Sequence, residues 1–135
     1  MVMISTKPRV LIVDDDRAIT QQLFWSLSED YEVITAHDLS AAVRRATVYE
    51  PALSILDLHL PPTADSAETG LRLLDFIKQH HPQTKVLVVT AEATQEMRLK
   101  CFARGADGFL GKPFDIEHLL VTIWSCASQV KHALV

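Results

Sequence analysis

Residues 51–62 read PALSILDLHLPP, and the fold follows from how this stretch is interpreted. Its segment 53–56 is a short, largely apolar run typical of a buried strand. The run ends on a carboxylate, Asp57, and two prolines follow shortly afterwards. Desolvating an unpaired carboxylate is costly, and α/β proteins place their sites at the carboxyl ends of strands. Asp57 therefore indicates a functional site.

The composition is that of one globular domain. The chain has 135 residues, with a hydrophobic fraction of 48% and a charged fraction of 22%, so residues 1–135 are predicted to form a single domain with its own core. The net charge of -4 does not suggest the basic face that direct nucleic-acid binding requires. No signal peptide and no membrane-spanning run is evident. A cytoplasmic protein is predicted, with Cys101 and Cys126 as reduced packing residues.

Strand and helix patterns alternate on both sides of this stretch. Strands are predicted at 9–13, 31–36, 52–57, 85–90 and 107–110. Helices are predicted at 17–28, 38–49, 67–80, 94–104 and 115–132. Asp65, with Glu68 three residues later, resembles a capping box at the start of the third helix. Because solidly apolar strands are covered on both faces, the pattern predicts an α/β protein of (βα)5 type, a doubly wound five-stranded parallel sheet in a three-layer α/β/α arrangement.

The carboxyl ends of the predicted strands carry polar side chains. They are Asp14, Asp15 and Asp16 after strand one, Asp57 at strand three, Thr90 at strand four, and Lys112 with Pro113 after strand five. Carboxylates crowded at one edge repel one another unless one is protonated or a cation lies among them. Hard oxygen ligands suit an octahedral ion such as Mg²⁺. Asp57 can be charged there because a metal ion and an ammonium group would lie beside it and stabilise its negative charge.

Each of these residues also has a structural explanation. The three acids could be a cluster at a helix N-terminus, where Asp16 is a natural N-cap. We assign Asp16 to the cap but Asp14 and Asp15 to the site, since a cap explains only one acid. Thr90 alone is an ordinary β-former and Lys112 an ordinary loop lysine, but adjacent strand ends favour a functional role. The six histidines lack metal-ligand spacing and are interpreted as surface residues.

Four motifs together resemble a response-regulator receiver domain, and the likeness covers nearly the whole chain. They are VDDD at 13–16, LDLHLP at 56–61, VVTA at 88–91 and GADGFLGKPF at 105–114. Each motif is weak evidence by itself, whereas all four in this order and spacing are strong evidence. The resemblance implies a flavodoxin-like strand order of 2-1-3-4-5.

The resemblance also implies a role for each site residue. Asp57 would accept a phosphoryl group, Lys112 would pair with its oxygens, and Thr90 would donate its hydroxyl to them. Mg²⁺ would be held by Asp57, by Asp15 directly, by Asp14 through water, and by the backbone carbonyl of His59. Phe109 would be a switch residue together with Thr90, and the bond before Pro113 would be cis.

The implied function is that of the receiver domain of a two-component phosphorelay. Its phosphodonor would be a sensor histidine kinase or a phosphotransfer protein. Phosphorylation would alter a surface made of helix four, strand five and helix five, which would control an output domain absent from this chain, a partner protein or a second copy. Such a domain catalyses only its own phosphorylation and dephosphorylation and is not otherwise an enzyme.

Two other functions are weighed against this one. An aspartate-nucleophile phosphatase resembling the haloacid dehalogenases needs a DxD pair on its first strand and a cap domain, for which this chain has no room. A phosphorylation-independent pseudo-receiver that only binds partners is disfavoured because every site residue is present.

Two features are less usual for the family. The segment PPTADSAE enlarges the loop after Asp57, where Asp65 and Glu68 could line the site instead of capping a helix. In helix five, a stripe is predicted to face the sheet, made of Ile116, Leu119, Leu120, Ile123, Ala127 and Val130. Trp124 falls outside this stripe and is predicted either to cover its edge or to join an interface with helix four and strand five.

Overall fold

The computed structural model describes residues 7–134, with side chains up to Cys126. Five strands alternate with five helices in the predicted order. The strands are β1 (Arg9–Val13), β2 (Glu32–Ala36), β3 (Leu53–Leu56), β4 (Lys85–Thr90) and β5 (Gly108–Gly111). The helices are α1 (Arg17–Leu27), α2 (Leu39–Tyr49), α3 (Glu68–His80), α4 (Gln95–Ala103) and α5 (Ile116–Leu134).

All five strands are parallel and lie in the order β2-β1-β3-β4-β5. This confirms the predicted fold and strand order. The register places Val13 beside Leu56 and Thr90 beside Gly111. Neighbouring strands therefore end almost level, and the residues that follow them meet at one edge of the sheet.

The strands alternate their side chains between two separate cores. One core packs Leu11, Leu56 and Val88 against α2, α3 and α4. The other packs Ile12, Ile55 and Leu87 against α1 and α5. Both faces of the sheet are thus covered, which explains why the strands contain few polar residues.

Four of the helices begin at a side-chain cap, and at α5 it is Asp115, which accepts from the His118 N–H at 2.8 Å. Asp16 accepts hydrogen bonds from the N–H groups of Ala18 and Ile19, which confirms its assignment as an N-cap. Asp38 caps α2 and Thr94 caps α4 in the same way.

The predicted cap of α3 at Asp65 is wrong. The N-cap residue is Ala67, which has a helical backbone and forms no side-chain cap. The Glu68 N–H instead donates to the Ser66 hydroxyl at 3.3 Å, so a serine one residue further along the loop supplies the oxygen.

Helix α5 agrees with the predicted stripe only in part. Ile116, Leu119 and Ile123 pack into the α1/α5 core, but Leu120 is 40% exposed, so its placement on the buried stripe is wrong. The predictions for Ala127 and Val130 lie outside the described side chains. In the part of the chain that is described, none of the helices is both long enough and apolar enough to span a bilayer.

Trp124 is 67% exposed on α5. Thr122 marks the β5 flank, because its methyl group lies beside Gly108. Two residues further along a helix is a rotation of about 200°, which puts Trp124 on the other side. Helix α4 borders the β5 flank, where Arg98 and His118 line one groove with Phe109. Trp124 thus lies across α5 from Thr122, and the interface predicted for it stays a prediction.

Candidate functional site

The sheet register brings Asp14 and Asp57 together one residue beyond their strands. The Asp57 N–H donates to the Val13 carbonyl at 2.9 Å, and the Asp14 N–H donates to the Ala36 carbonyl at 3.1 Å. Each backbone thus continues the parallel ladder past the last strand residue. Both side chains are buried, with residue exposures of 4% and 7%, at the edge where the sequence predicted a site.

Lys112 joins these two carboxylates. Its Nζ lies 2.7 Å from Asp14 Oδ2 and 3.2 Å from Asp57 Oδ2. The Lys112 backbone N–H donates to the Thr90 carbonyl at 2.9 Å, which fixes where the side chain starts. The peptide bond that follows, Lys112–Pro113, is cis.

Burial and pairing act together on the ionisation of this cluster. Burial raises the pKa of Asp14, and the hydrogen bonds from Lys112 and from the Asp16 N–H offset only part of that increase. Burial by itself would lower the pKa of Lys112, but its hydrogen bond to Asp14 and the charges of Asp14 and Asp57 raise it. The lysine therefore stays protonated, and it balances negative charge that would otherwise be costly to bury.

Asp15 completes a possible cation site. Carboxylate oxygens of Asp14, Asp15 and Asp57 all lie within 4.8 Å of one another. Asp15 is exposed, in contrast to the other two acids. Three hard oxygen donors this close together suit a divalent cation that retains several water ligands.

Thr90 and Phe109 lie at the neighbouring strand ends. Thr90 is fully buried at the end of β4, and its hydroxyl oxygen accepts a hydrogen bond from the Glu92 N–H at 3.2 Å. Phe109 is half-buried in β5 and packs against the core of α2, α3 and α4. The structure thus places Thr90 beside the strand that carries Asp57, with its hydroxyl hydrogen-bonded to its own loop.

The side chain of His59 has a position that the sequence did not predict. The His59 N–H donates to Asp57 Oδ1 at 3.3 Å, so its backbone borders the site as expected. Its ring, however, lies between Ala64 and Glu92: Nε2 is 2.9 Å from Glu92 Oε1 and Nδ1 is 3.2 Å from the Ala64 carbonyl oxygen. His59 is half-buried and has structural partners on two loops.

His37 is another half-buried histidine with a structural partner. Its Nδ1 lies 2.9 Å from the Asp14 carbonyl oxygen, so it supports the backbone of a site residue. The spacing of the histidines in the sequence does not reveal these contacts, because Asp14 and Glu92 lie 23 and 33 residues away from His37 and His59. His132 lies outside the described side chains.

Comparison with known proteins identifies the family. A sequence model of the response regulator receiver domain matches residues 10–123, so this chain belongs to the response-regulator receiver family of two-component systems. The nitrogen assimilation regulatory protein NtrX of Azorhizobium caulinodans is 34% identical over 113 residues, which are 83% of this chain but 24% of that protein. The chain spans roughly half the length of other curated relatives.

Solved structures agree with the fold and the family. A CheY-like receiver domain protein from Methanospirillum hungatei superposes with a TM-score of 0.83 at 29% identity, covering 94% of this chain and 99% of that one. A response regulator from Burkholderia pseudomallei, solved with a phosphorylated aspartic acid, a calcium ion and citrate, gives a TM-score of 0.77 at 27% identity and covers 95% of this chain and 74% of that one.

Proposed function

We propose that this chain accepts a phosphoryl group on Asp57 and thereby controls a partner protein or an output domain. The observation that carries this proposal is the Lys112 ammonium held between the Asp14 and Asp57 carboxylates at a buried strand edge. A purely structural ion pair needs one acid, whereas a phosphoryl group on Asp57 needs a nearby cation and open space.

The proposed reaction requires little beyond positioning and charge neutralisation. An Asp57 carboxylate oxygen attacks the phosphorus of a phosphohistidine on a sensor kinase or phosphotransfer protein. The P–O bond to Asp57 forms, the P–N bond breaks, and its electron pair returns to the donor imidazole. Lys112 stabilises the charge on the equatorial oxygens throughout the transfer. The same aspartyl phosphate is later hydrolysed, and no other substrate is turned over.

Mg²⁺ is the cofactor we propose for this transfer. The residues that would hold it are Asp15, Asp57, the His59 carbonyl and, through water, Asp14. Three clustered carboxylate oxygens fit the preference of a hard divalent cation. The bound ion would supply positive charge to the phosphoryl oxygens. The chain's own contribution is to hold these oxygens at the sheet edge, since Asp57 is anchored to β1 through its N–H.

Phosphorylation is proposed to act on Thr90 and Phe109. A phosphoryl group adds about -1.5 to -2 charges, which attracts the Thr90 hydroxyl away from its present partner. The surface that responds would be α4, β5 and the adjoining flank of α5. Its occupant would be an output domain or a second copy of the chain. We further propose that residues 1–135 act as one receiver domain in the cytoplasm.

Mass spectrometry after incubation with acetyl phosphate and Mg²⁺ tests the proposal. Wild-type protein should gain the mass of one phosphoryl group, and Asp57→Asn should gain none because it lacks the nucleophilic oxygen. Asp65→Asn is the matched control, since it makes the same chemical change in the exposed loop, and it should be labelled like wild type.

The outcomes separate the three candidate functions. A persistent mass gain that depends on Asp57 supports the receiver assignment. Multiple turnovers of acetyl phosphate without retained phosphate favour the phosphatase. No reaction at all favours the pseudo-receiver. Equal labelling of Asp57→Asn and wild type would show that the acceptor is a different residue.

A further inference from the structure

The ring of His59 links two loops that follow neighbouring strands. Its Nδ1 faces the Ala64 carbonyl in the enlarged loop after β3, and its Nε2 faces the Glu92 carboxylate in the loop after β4. Strands β3 and β4 are paired in the sheet, so the ring spans the edge beside Asp57. We call the His59–Glu92 hydrogen bond, together with the Ala64 contact, the latch.

Glu92 is in turn attached to Thr90. The Glu92 N–H donates to the Thr90 hydroxyl oxygen at 3.2 Å. A chain of polar contacts therefore runs from Thr90 through Glu92 and His59 to Ala64, and a neutral His59 ring has one N–H to donate to one of its two acceptors. The residue proposed to respond to phosphorylation is thus connected to the middle of the enlarged loop.

The middle of the enlarged loop is attached to the rest of the protein at few points. The ends of the loop are fixed by Leu60, which is fully buried, and by Ala67, which is 7% exposed. Between them, Ala64 and Asp65 are exposed, a turn joins the Ser66 N–H to the Thr63 carbonyl at 3.0 Å, and the Thr63 hydroxyl hydrogen-bonds to the buried Thr69 hydroxyl in α3. The His59 ring holds the loop at a point where it has no buried side chain in the described structure.

We propose that the latch holds the enlarged loop closed in the unphosphorylated protein and opens when Asp57 is phosphorylated. This inference rests on the proposed function of Asp57. It gives the domain a second phosphorylation-dependent region, residues 60–67, on the opposite side of the site from β5.

Two physical effects open the latch. A phosphoryl group on Asp57 brings negative charge close to the Glu92 carboxylate, and it offers the His59 ring a more highly charged acceptor. When the Thr90 hydroxyl turns towards the phosphoryl oxygens, the Glu92 N–H also loses its acceptor. The His59 and Glu92 side chains are 31% and 38% exposed, and a hydrogen bond so close to solvent is weak enough to exchange partners.

Hydrogen exchange of the full chain tests the latch. In unmodified protein, Glu92→Ala should speed exchange of the amides in 60–67 by about fivefold, the change expected when one ordinary hydrogen bond is lost. Glu96→Ala is the matched control, because it removes an exposed carboxylate one turn away in α4, and it should leave this segment unchanged. His59→Ala should behave like Glu92→Ala.

The second half of the test measures hydrogen exchange after an analogue of the phosphoryl group is added. Beryllofluoride with Mg²⁺ should speed exchange of 60–67 in wild type and add nothing further in Glu92→Ala. If acetyl phosphate adds no mass to wild type, the proposed function fails and this inference fails with it. If wild type is phosphorylated but exchange of 60–67 is unchanged, or if Glu92→Ala exchanges like wild type, the latch alone is overturned.

Discussion

The positive charge of Lys112 balances the negative charge of the two buried carboxylates of the site. Both oxygens of Asp14 already accept hydrogen bonds, one from Lys112 and one from the Asp16 N–H. Asp15, one residue further on, is exposed. A cation entering the cluster therefore meets Asp15 as an available ligand and competes with Lys112 for Asp14.

This difference predicts unequal effects of the two acids on Mg²⁺ binding. Asp14→Ala should weaken binding by about tenfold, as expected for a residue that acts through water. Asp15→Ala should weaken it considerably more, because a direct ligand is lost. Isothermal titration calorimetry measures both affinities. The reverse order would mean that Asp14 is the direct ligand and Asp15 the supporting residue.

The buried hydroxyl group of Ser54 allows a prediction about stability. Ser54 is fully buried in β3, and its hydroxyl finds no hydrogen-bond partner among the described residues. We predict that Ser54→Ala raises the free energy of unfolding by about 1 kcal/mol, since it removes an unsatisfied polar group. Urea denaturation measures the change.

Thr84 provides the matched comparison for Ser54. It is also buried, but its hydroxyl donates to the Pro51 carbonyl at 2.8 Å. Thr84→Val should therefore lower the free energy of unfolding by about 1 kcal/mol. A loss of stability in both variants would show that the Ser54 hydroxyl does have a partner.

At the scale of elements, the first turn of α3 packs unusually close to the loop after β3. A Cβ added to Gly70 would lie 2.2 Å from the Leu58 Cα, and the Gly70 N–H donates to the Leu58 carbonyl at 3.0 Å. The Gly70 backbone contacts the Leu58 backbone directly. The residue that fixes the C-terminal end of the enlarged loop must therefore lack a side chain.

Gly70→Ala should destabilise the protein by about 3 kcal/mol, the upper range for overpacking a core. Alanine is otherwise the better helix former, so a loss must come from the clash with Leu58. Thermal unfolding followed by circular dichroism measures it. An unchanged or higher melting temperature would contradict the close approach.

The two cysteines allow a test of how α4 and α5 are packed. Cys101 and Cys126 are free, 0% and 2% exposed, and burial raises the pKa of both thiols. At about pH 8, close to the ordinary thiol pKa, a thiol reagent should label the native protein slowly and the urea-unfolded protein quickly.

The pH dependence follows from the direction of these shifts. A thiol whose pKa is raised by folding contributes stability that is complete below the unfolded pKa and is lost as the pH rises through the folded value. Stability should therefore fall, and labelling rise, only at alkaline pH. Rapid labelling of native protein near pH 8 would show that one of the helices opens readily.

The sequence predicted best those elements whose residue pattern depends only on neighbouring residues. Apolar runs such as 85–90 and the cap at Asp16 depend on neighbouring residues, and the structure matches them closely. The cap of α3 was predicted wrongly because Asp65 and Glu68 fit a capping pattern, whereas in the structure the Ser66 hydroxyl accepts from the Glu68 N–H. Leu120 was misjudged because an apolar residue at the margin of a stripe can remain exposed.

At the scale of the whole molecule, strand order determines which distant residues meet. The edge that joins Asp14, Asp57 and Lys112 could be predicted, because parallel strands end together and these residues directly follow strands. The contact between His59 and Glu92 could not, because it joins loops 33 residues apart whose side-chain directions are set by tertiary packing.

The two tryptophans lie outside both cores, which determines how the protein can be observed. Trp25 is 70% exposed on α1 and Trp124 is 67% exposed on α5. Their fluorescence should already resemble that of indole in water, so unfolding in urea should shift the emission maximum only slightly while circular dichroism changes fully. A large shift would show that one indole is shielded. The same exposure makes intrinsic fluorescence a useful reporter of any partner that covers either helix, with Trp25→Phe and Trp124→Phe showing which helix is covered.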